Sequence, residues 1–233
     1  MKQVRPPVIA LVAFVIMAAG CRIPKASMAP VPPGWKALEG YGSLKFLIRG
    51  ETGRSRFSFV IEPPGRGRIV VADAFNRTLA EIFIAGNDGY FVLARERAYW
   101  KAPPQDIFEK FIGFGLNLEE MGWLLGGRWK QARAAASPAF AAWELTEDGE
   151  GRTASGRKGA FSFKVLEYFK RSPVPRRVDF LSDLGRGRIT ILSVAFEAAV
   201  VSAAFRLDFL KTCASKSWEE IEKIFRHDDQ IFR

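Results

Sequence analysis

Apolar and polar residues alternate through the first half of the chain, and this period of two predicts β-strands with one face exposed to water. In SLKFLIR, for example, Leu44 and Phe46 fall on one face and Lys45 on the other. Two turn sequences, PPG at 63–65 and NDG at 87–89, separate neighbouring runs. The strands predicted in this half are SLKFLIR, RSRFSFVIE, RIVVADAF, TLAEIFIAG and GYFVLARERAYWKA.

The period changes to that of a helix after Pro104. The segment QDIFEKFIGFGLNLEEMGWLLGG has apolar residues three and four apart, which predicts two short amphipathic helices around 104–126. Asn117 precedes the second apolar run and is a suitable N-cap for it. An otherwise β-rich chain therefore carries a helical insert at its middle.

Strands are predicted again over 140–210, ending with AAFRLDFL, and a last helix follows over 217–227 with Ser217 as its cap. The sum is a mainly β, α+β fold of about 10–11 antiparallel strands, in one domain over 35–233. A sheet of that size must curl or close. We therefore expect a half-open β-barrel covered by an α-helical lid, an architecture that can hold a ligand.

The first residues have the pattern of a secretory signal peptide over 1–20. Basic residues open the segment, about ten apolar residues follow, and small residues precede Cys21. The apolar run is too short to span a membrane. The pattern resembles a bacterial lipobox, which implies that Cys21 is lipidated and holds the chain on a membrane. The alternative is an ordinary secretory signal that leaves Cys21 as a plain thiol.

The segment after the cysteine is rich in proline and small residues and has no apolar period, so 21–34 is predicted to be a semi-extended tether. Arg22 stands where, in the enteric sorting rule, an aspartate retains lipoproteins at the inner membrane. That resemblance implies the outer membrane, with the domain on its periplasmic face.

The net charge of +10 favours an anionic partner. Outside the cytoplasm we expect lipid headgroups, lipopolysaccharide or an acidic carrier protein, and no nucleic acid. The alternative is that a basic composition reflects only a preference for arginine. With Cys21 lipidated, Cys213 has no partner in the chain and no disulfide is expected. We expect a monomer.

Few residues could carry out catalysis. The chain has one histidine, His227, and its spare thiol, Cys213, belongs to another segment. Metal-ligand spacing and a glycine-rich phosphate loop are both missing from the sequence. We therefore predict a protein that is not an enzyme and that has no cofactor and no metal.

The order of the segments adds a family resemblance. LEGYGSLKFLIRG opens the domain, FIGFGLNLEEMGWLLGG follows the run of hairpins, and a returning strand contains WEL. Over roughly residues 35–210 this order resembles the LolA/LolB superfamily of periplasmic lipoprotein-handling proteins. The resemblance implies an incomplete barrel whose helical lid encloses an apolar cavity. A LolB-like member would be an outer-membrane lipoprotein that accepts lipoproteins from a LolA-like periplasmic carrier and inserts them.

The resemblance also suggests which residues act. Phe75 stands in the matching loop between early strands, where an apolar residue would hand cargo to the membrane; the alternative is a Phe75 folded back onto the barrel end. The side chains expected to line an acyl-chain cavity are Phe46, Phe57, Phe59, Ile69, Val71, Phe83, Phe111 and Leu124.

Two functions remain at this point. In the first, the protein binds acyl chains of lipoproteins or lipids and helps their transfer or insertion into the outer membrane. In the second, it is a non-catalytic structural envelope lipoprotein that docks a protein or an anionic polysaccharide through a basic face. A large apolar hollow beneath the helices favours the first, and a filled core favours the second.

Overall fold

A computed structural model describes residues 27–28, 36–48, 51–113, 115–197 and 202–227, so the predicted signal peptide and Cys21 lie outside the described residues. The strands are β1 (Ser27–Met28), β2 (Ala37–Ile48), β3 (Glu51–Glu62), β4 (Arg66–Ala72), β5 (Thr78–Ala85), β6 (Asp88–Leu93), β7 (Ala98–Ala102), β8 (Glu144–Glu147), β9 (Thr153–Lys158), β10 (Phe161–Tyr168), β11 (Pro175–Ser182), β12 (Gly185–Glu197) and β13 (Ala214–Ser215). The helices are α1 (Pro104–Ile112), α2 (Leu118–Gly126), α3 (Trp129–Ala134) and α4 (Trp218–His227).

All strands belong to one sheet with the order β13-β7-β6-β5-β4-β3-β2-β12-β11-β10-β9-β8, and β1 pairs beside β12. The neighbours are antiparallel except at the two-residue strands β1 and β13, which run parallel to β12 and β7. Among the described residues, strands β2 to β12 are the eleven that have four or more residues, so the prediction of about 10–11 strands is confirmed. Within the described chain the two ends of this order, β13 and β8, do not pair with each other. The barrel is therefore open.

The helices show how far the sheet curls. Helix α1 packs on β6, whereas α2 packs on β11, and five strands separate β6 from β11 in the sheet. Because α1 and α2 are joined by a short connection, the sheet must bend until both strands face the same helical layer. The predicted half-open barrel with a helical lid is confirmed.

Glycines opposite aromatic residues line the concave face. Gly40 pairs with Phe59, and Gly42 pairs with Phe57. A Cβ added to Gly42 would lie 2.7 Å from the Cζ of Phe57, so the ring lies directly over the glycine backbone. This arrangement covers a glycine with a cross-strand ring and leaves room for strong curvature. The same pairing recurs for Gly53 with Phe46, Gly156 with Phe163, and Gly187 with Phe180.

Capping residues fix the helix ends where the sequence suggested. The side chain of Asn117 accepts from the backbone N–H of Glu120 at 2.8 Å, and the Glu120 carboxylate accepts from the backbone N–H of Asn117 at 2.8 Å. Ser217 and Glu220 form the corresponding pair at the start of α4. Gly113 ends α1 with a φ of 84°, a conformation that glycine adopts without strain.

Four segments differ from the sequence prediction. The run GYFVLARERAYWKA, predicted as one strand, forms the antiparallel strands β6 and β7, because its charged centre at 94–97 makes a turn. The predicted strand AAFRLDFL instead forms two 3₁₀-helices, Ser202–Phe205 and Asp208–Lys211. Leu207 and Phe209 of this segment pack on the outer face of the sheet, so their alternation comes from a one-sided contact and not from strand pairing. Strand β9 was not predicted, because TASGRK contains no apolar alternation. Helix α3 was also not predicted, since Gly126 and Gly127 indicated an end to helical structure.

Part of the predicted tether contacts the domain. Ser27 and Met28 pair with Ser193 and Val194 of β12, and Met28 packs against the core. The hydroxyl of Ser172 lies 3.4 Å from the Met28 sulfur. The segment that could act as a free spacer after Cys21 is therefore shorter than 21–34.

Candidate functional site

A small, partly open cavity lies between the concave face of the sheet and the lid helices α1 and α2. It has a volume of about 50 Å³, and twelve of its thirteen lining residues are apolar. Strands β2, β3, β4, β5, β11 and β12 supply one wall, and the two helices supply the other. The lining residues are Leu44, Ser55, Phe57, Phe59, Ile69, Val71, Ile82, Phe108, Phe111, Met121, Leu125, Phe180 and Ile189.

The register of the strands determines which side chains form the sheet wall of the cavity. Phe57 pairs with Val71, and Phe59 pairs with Ile69, so alternate residues of β3 and β4 point to the same side. Ile69 in turn pairs with Ile82 of β5. Period-two alternation brings these side chains to one face, and burial of that face beneath the lid stabilises the arrangement.

The structure brings together five of the eight side chains expected in the cavity. Phe57, Phe59, Ile69, Val71 and Phe111 all line it. The same alternation extends to cavity residues that the sequence reasoning did not assign to the cavity, namely Leu44, Ile82 and Ile189.

Two further expected residues lie near the cavity but outside its lining. Leu124 of α2 is 1% exposed and packs in the hydrophobic core of the domain. Phe46 lies over Gly53 and contributes to a separate, open depression of about 660 Å³. Most of its lining residues, such as Lys45 and Arg188, lie on the outer face of the sheet, so the sheet separates this depression from the cavity.

Phe83 is a correction to the sequence prediction, because it lies on the other face of the sheet. It pairs with Tyr90, and its ring centroid is 5.0 Å from that of Phe209 in the second 3₁₀-helix. Strand β5 is apolar on both faces, with Ile82 and Ile84 directed inward, so alternation alone did not identify the cavity side. Phe83 thus belongs to an outer cluster with Tyr90, Val92, Tyr99, Leu207, Phe209 and Cys213.

A polar network, here called the lid latch, attaches α2 to the strands at one sheet edge. It consists of Glu120, Trp143 and Lys158. The side chain of Glu120 is fully buried, and its Oε1 accepts from Trp143 Nε1 at 2.8 Å and from Lys158 Nζ at 2.6 Å. Trp143 immediately precedes β8, and Lys158 ends β9. Because a buried charge is stable only when paired, the latch ties the position of the lid to these strands.

The cavity in this closed arrangement is smaller than a ligand site. Pockets that hold small molecules have volumes of about 300–1,000 Å³, and one water occupies about 30 Å³ in the liquid. A space of about 50 Å³ therefore cannot hold an acyl chain. Entry of a chain requires α1 and α2 to move away from the concave face.

Phe75 protrudes from the loop between β4 and β5 with 82% of its surface exposed. The Oδ1 of Asp73 accepts the backbone N–H groups of Phe75 at 2.8 Å and of Arg77 at 2.9 Å. The Arg77 guanidinium donates to the other Asp73 oxygen at 2.6 Å and lies 5.6 Å from the Phe75 ring centroid. The loop is held in one shape that presents the ring to solvent.

The Asp73 carboxylate is suited to this role. Its pKa is lowered, chiefly because the backbone N–H of Arg77 donates to it, with the Arg77 side chain and the Phe75 N–H adding to the effect. Asp73 therefore stays ionised at neutral pH. A charged acceptor of three donors fixes the loop more strongly than a neutral one would.

Reactive groups are few in the described part of the chain. No cluster of three His, Cys, Asp or Glu side chains there could hold a metal ion. Cys213 is a free thiol, half-buried beside the outer cluster. None of the helices over these residues combines the length and apolar character that crossing a membrane requires.

Comparison with known proteins identifies solved structures that share this fold. No protein-family profile matches the sequence, and no curated protein sequence matches it significantly. A DUF1329 family protein from Desulfovibrio piger superposes with a TM-score of 0.52 at 9% identity, over 75% of this chain and 91% of that one. A structure described as an outer membrane lipoprotein-sorting protein domain, from Vibrio parahaemolyticus, gives a TM-score of 0.52 at 9% identity, over 77% and 93%.

A LolA superfamily protein from Nitrosomonas europaea is also similar, with a TM-score of 0.49 at 7% identity, over 76% of this chain and 92% of that one. The first two superpositions cover most of both chains, and their identities are low enough that the likeness is one of fold. The chain therefore shares the fold of the lipoprotein-sorting domain and DUF1329 structures.

Proposed function

We propose that the protein binds acyl chains of lipoproteins or lipids between its sheet and its lid and helps their transfer or insertion into the outer membrane. The observation that carries the proposal is the apolar lining of the cavity, in which Ser55 is the single polar side chain. Such a wall recognises a ligand through apolar area and needs few hydrogen bonds. The proposal includes no catalytic step.

Binding would be coupled to lid displacement. Helix α1 contributes the fully buried Phe108 and the half-buried Phe111 to the cavity wall, and an entering chain replaces their contacts. Each buried methylene contributes about 0.8 kcal/mol, so ten methylenes supply on the order of 8 kcal/mol to offset the loss of lid packing.

Phe75 would act at the delivery step. An exposed aromatic ring on a rigid loop can enter the apolar edge of a bilayer, and burial of one such ring contributes about 1.5–3 kcal/mol. The ring is already presented to solvent, so no rearrangement of the loop is needed. A LolA-like periplasmic carrier is the proposed source of the cargo.

The proposed location is the periplasmic face of the outer membrane, with Cys21 lipidated. Only five residues lie between Cys21 and Ser27, which pairs with β12, and the six Cα–Cα steps between them span at most about 20 Å. A lipidated Cys21 would thus keep the domain within a short distance of the bilayer. The intact mass of membrane-extracted protein tests this part: an unmodified Cys21 would overturn it.

A pair of variants on β4 tests acyl-chain binding. Val71 lines the cavity, whereas Val70, its neighbour, faces the opposite side of the sheet and pairs with Glu81. Val71→Phe fills the cavity and should weaken binding of a fluorescent fatty acid at least tenfold, while Val70→Phe leaves it unchanged. Overpacking costs about 1–3 kcal/mol, so thermal unfolding of both variants is measured alongside. Equal affinities for the two folded variants would contradict the proposal.

Delivery is tested separately with Phe75. Phe75→Glu should abolish transfer of a lipoprotein to membrane vesicles while fatty-acid binding stays intact. Phe75→Leu serves as the matched control, because it keeps an apolar side chain on the same loop. Unchanged transfer by the Phe75→Glu variant would show that the loop has no part in delivery.

A second candidate is favoured by one observation, the small volume of the closed cavity. A barrel that stays filled would be a structural envelope lipoprotein that docks a partner through its basic face. Lipid extraction from the purified protein separates the two: acyl chains recovered in stoichiometric amount support the carrier, and their absence together with no fatty-acid binding supports the structural protein.

A further inference from the structure

The outer surface of the sheet, opposite the cavity, carries a dense group of cations. Leu44, Phe180 and Ile189 line the cavity, so their sequence neighbours Lys45 and Arg188 point away from it. Six exposed basic residues share this outward direction, and together they are called the basic face: Lys45, Arg54, Arg56, Lys164, Arg186 and Arg188.

The register places these cations in one continuous area. Lys45 pairs with both Arg54 and Arg188, and Arg188 pairs in turn with Asp179, which pairs with Lys164. This row crosses five adjacent strands, β3, β2, β12, β11 and β10. With strands about 4.8 Å apart, the row is about 20 Å long, and successive positions lie within a Debye length at physiological salt. The charges therefore act together on a partner.

One carboxylate lies among them. Asp179 accepts from Arg188 at 2.5 and 2.8 Å, and the Arg188 side chain, with nearby Lys164, lowers its pKa. The other five cations of the basic face form no salt bridge with any residue in the described ranges. The face thus retains a large excess of positive charge.

An apolar side chain is exposed within the same area. Leu181 is 55% exposed, and it pairs with Arg186, which pairs with the half-buried Leu47. Positive charge alone would be sufficient to bind an acidic protein. A leucine surrounded by arginines instead suits a bilayer, because a bilayer has phosphates at its surface and apolar chains just below them.

We propose that the basic face docks the domain on a bilayer rich in anionic phospholipid, with Leu181 entering between the headgroups. The position of the N-terminal segment agrees with this partner. Ser27 pairs with Ser193 on β12, about 17 Å along that strand from Arg188. A membrane-attached Cys21 would therefore hold the basic face within reach of the headgroups. The docking does not depend on acyl-chain binding, because it uses the opposite face of the sheet.

The test uses the full chain with Cys21→Ser in every sample, so that lipidation does not contribute to binding. Binding is measured by cosedimentation with phosphatidylcholine vesicles and with vesicles of equal parts phosphatidylcholine and phosphatidylglycerol. We expect strong preference for the anionic vesicles at 0.1 M salt and its loss at 1 M, where the Debye length is about 3 Å. Equal binding to both vesicle types would overturn the proposal.

Matched variants locate the surface. Each cation near an anionic membrane strengthens binding about fivefold, so Lys45→Gln with Arg186→Gln should weaken it about 25-fold. Lys110→Gln with Lys130→Gln removes the same charge from exposed positions on α1 and α3 and should have less than a twofold effect. Equal losses in the two pairs would mean that net charge alone drives binding, and would refute the assignment.

Two further measurements separate the contributions. Leu181→Ser should weaken vesicle binding without changing its dependence on salt, because it removes apolar contact and no charge. A polyglutamate peptide tests the other class of partner: if the chain bound this peptide through Lys45 and Arg186 but did not bind the anionic vesicles, the membrane would be the wrong partner.

Discussion

The lid latch gives the sharpest prediction for stability. Glu120 is fully buried and accepts three hydrogen bonds: from Trp143 Nε1 at 2.8 Å, from Lys158 Nζ at 2.6 Å and from the Asn117 N–H at 2.8 Å. Glu120→Gln preserves the volume but replaces one accepting oxygen with an NH₂ group. At least one of the three donors then faces another donor, and Lys158 loses its ionic partner.

The size of the effect follows from these contacts. A hydrogen bond to a charged group contributes about 1.5–3 kcal/mol, and breaking a buried ion pair costs about 3–5 kcal/mol. The side chain of Lys158 is 27% exposed, so hydration of its ammonium group offsets part of the cost of losing the ion pair with Glu120. We expect Glu120→Gln to reduce the free energy of unfolding by about 3 kcal/mol, which lowers Tm by roughly 6–12 °C for a chain of this length.

Urea unfolding followed by tryptophan fluorescence measures the change, because Trp143 is part of the latch. Glu119→Gln is the control: this neighbouring carboxylate contacts Ser137 Oγ at 3.3 Å and is partly exposed, so its loss should cost less than about 1 kcal/mol. Similar values for the two variants would refute the assignment of Glu120 as the residue that holds the lid. A looser lid should also speed fatty-acid uptake by the Glu120→Gln variant.

Three other predictions concern the loop, the lid and the concave face. The pKa of Asp73 is lowered from 3.8 mainly by the Arg77 N–H, so the carboxylate supports the loop fully above its usual pKa and loses this support only as the pH falls through the lowered value; loop amide signals in an NMR titration should show a midpoint below 3.8. Phe108→Ala should cost about 3–5 kcal/mol in urea unfolding, because that ring is 0% exposed. Gly42→Val should lower Tm by several degrees, since a Cβ there would lie 2.7 Å from the Phe57 Cζ.

The local sequence pattern was sufficient to predict a strand and its buried face where only one face of the strand is apolar. The alternation around Phe57 and Phe59 in β3 indicated both the strand and its inner face, because solvent on one side makes the choice unambiguous. The caps at Asn117 and Ser217 were also predictable from the sequence. Each cap is a hydrogen bond between a side chain and a backbone N–H only three residues further along the chain.

Contacts between side chains far apart in the sequence could not be predicted from local patterns. Lys158 and Glu120 are 38 residues apart, and neither sits in a local pattern that indicates the other. Phe83 lies on a strand with apolar residues on both faces, so its direction depended on Phe209, which covers the outer face from the far end of the chain. Exposure of Phe75 was equally undetermined, because an isolated aromatic in a polar turn can point either way.

The unpaired ends of the sheet have a consequence for the range of cargo. A closed barrel has a diameter fixed by its strand number and shear, so its interior cannot widen without breaking strand pairs. Strands β8 and β13 end this sheet without meeting across the described chain. The curvature of the open sheet can change through small adjustments of twist over many strands, while the hydrogen bonds between neighbouring strands stay intact. One scaffold could then admit chains of different length and number.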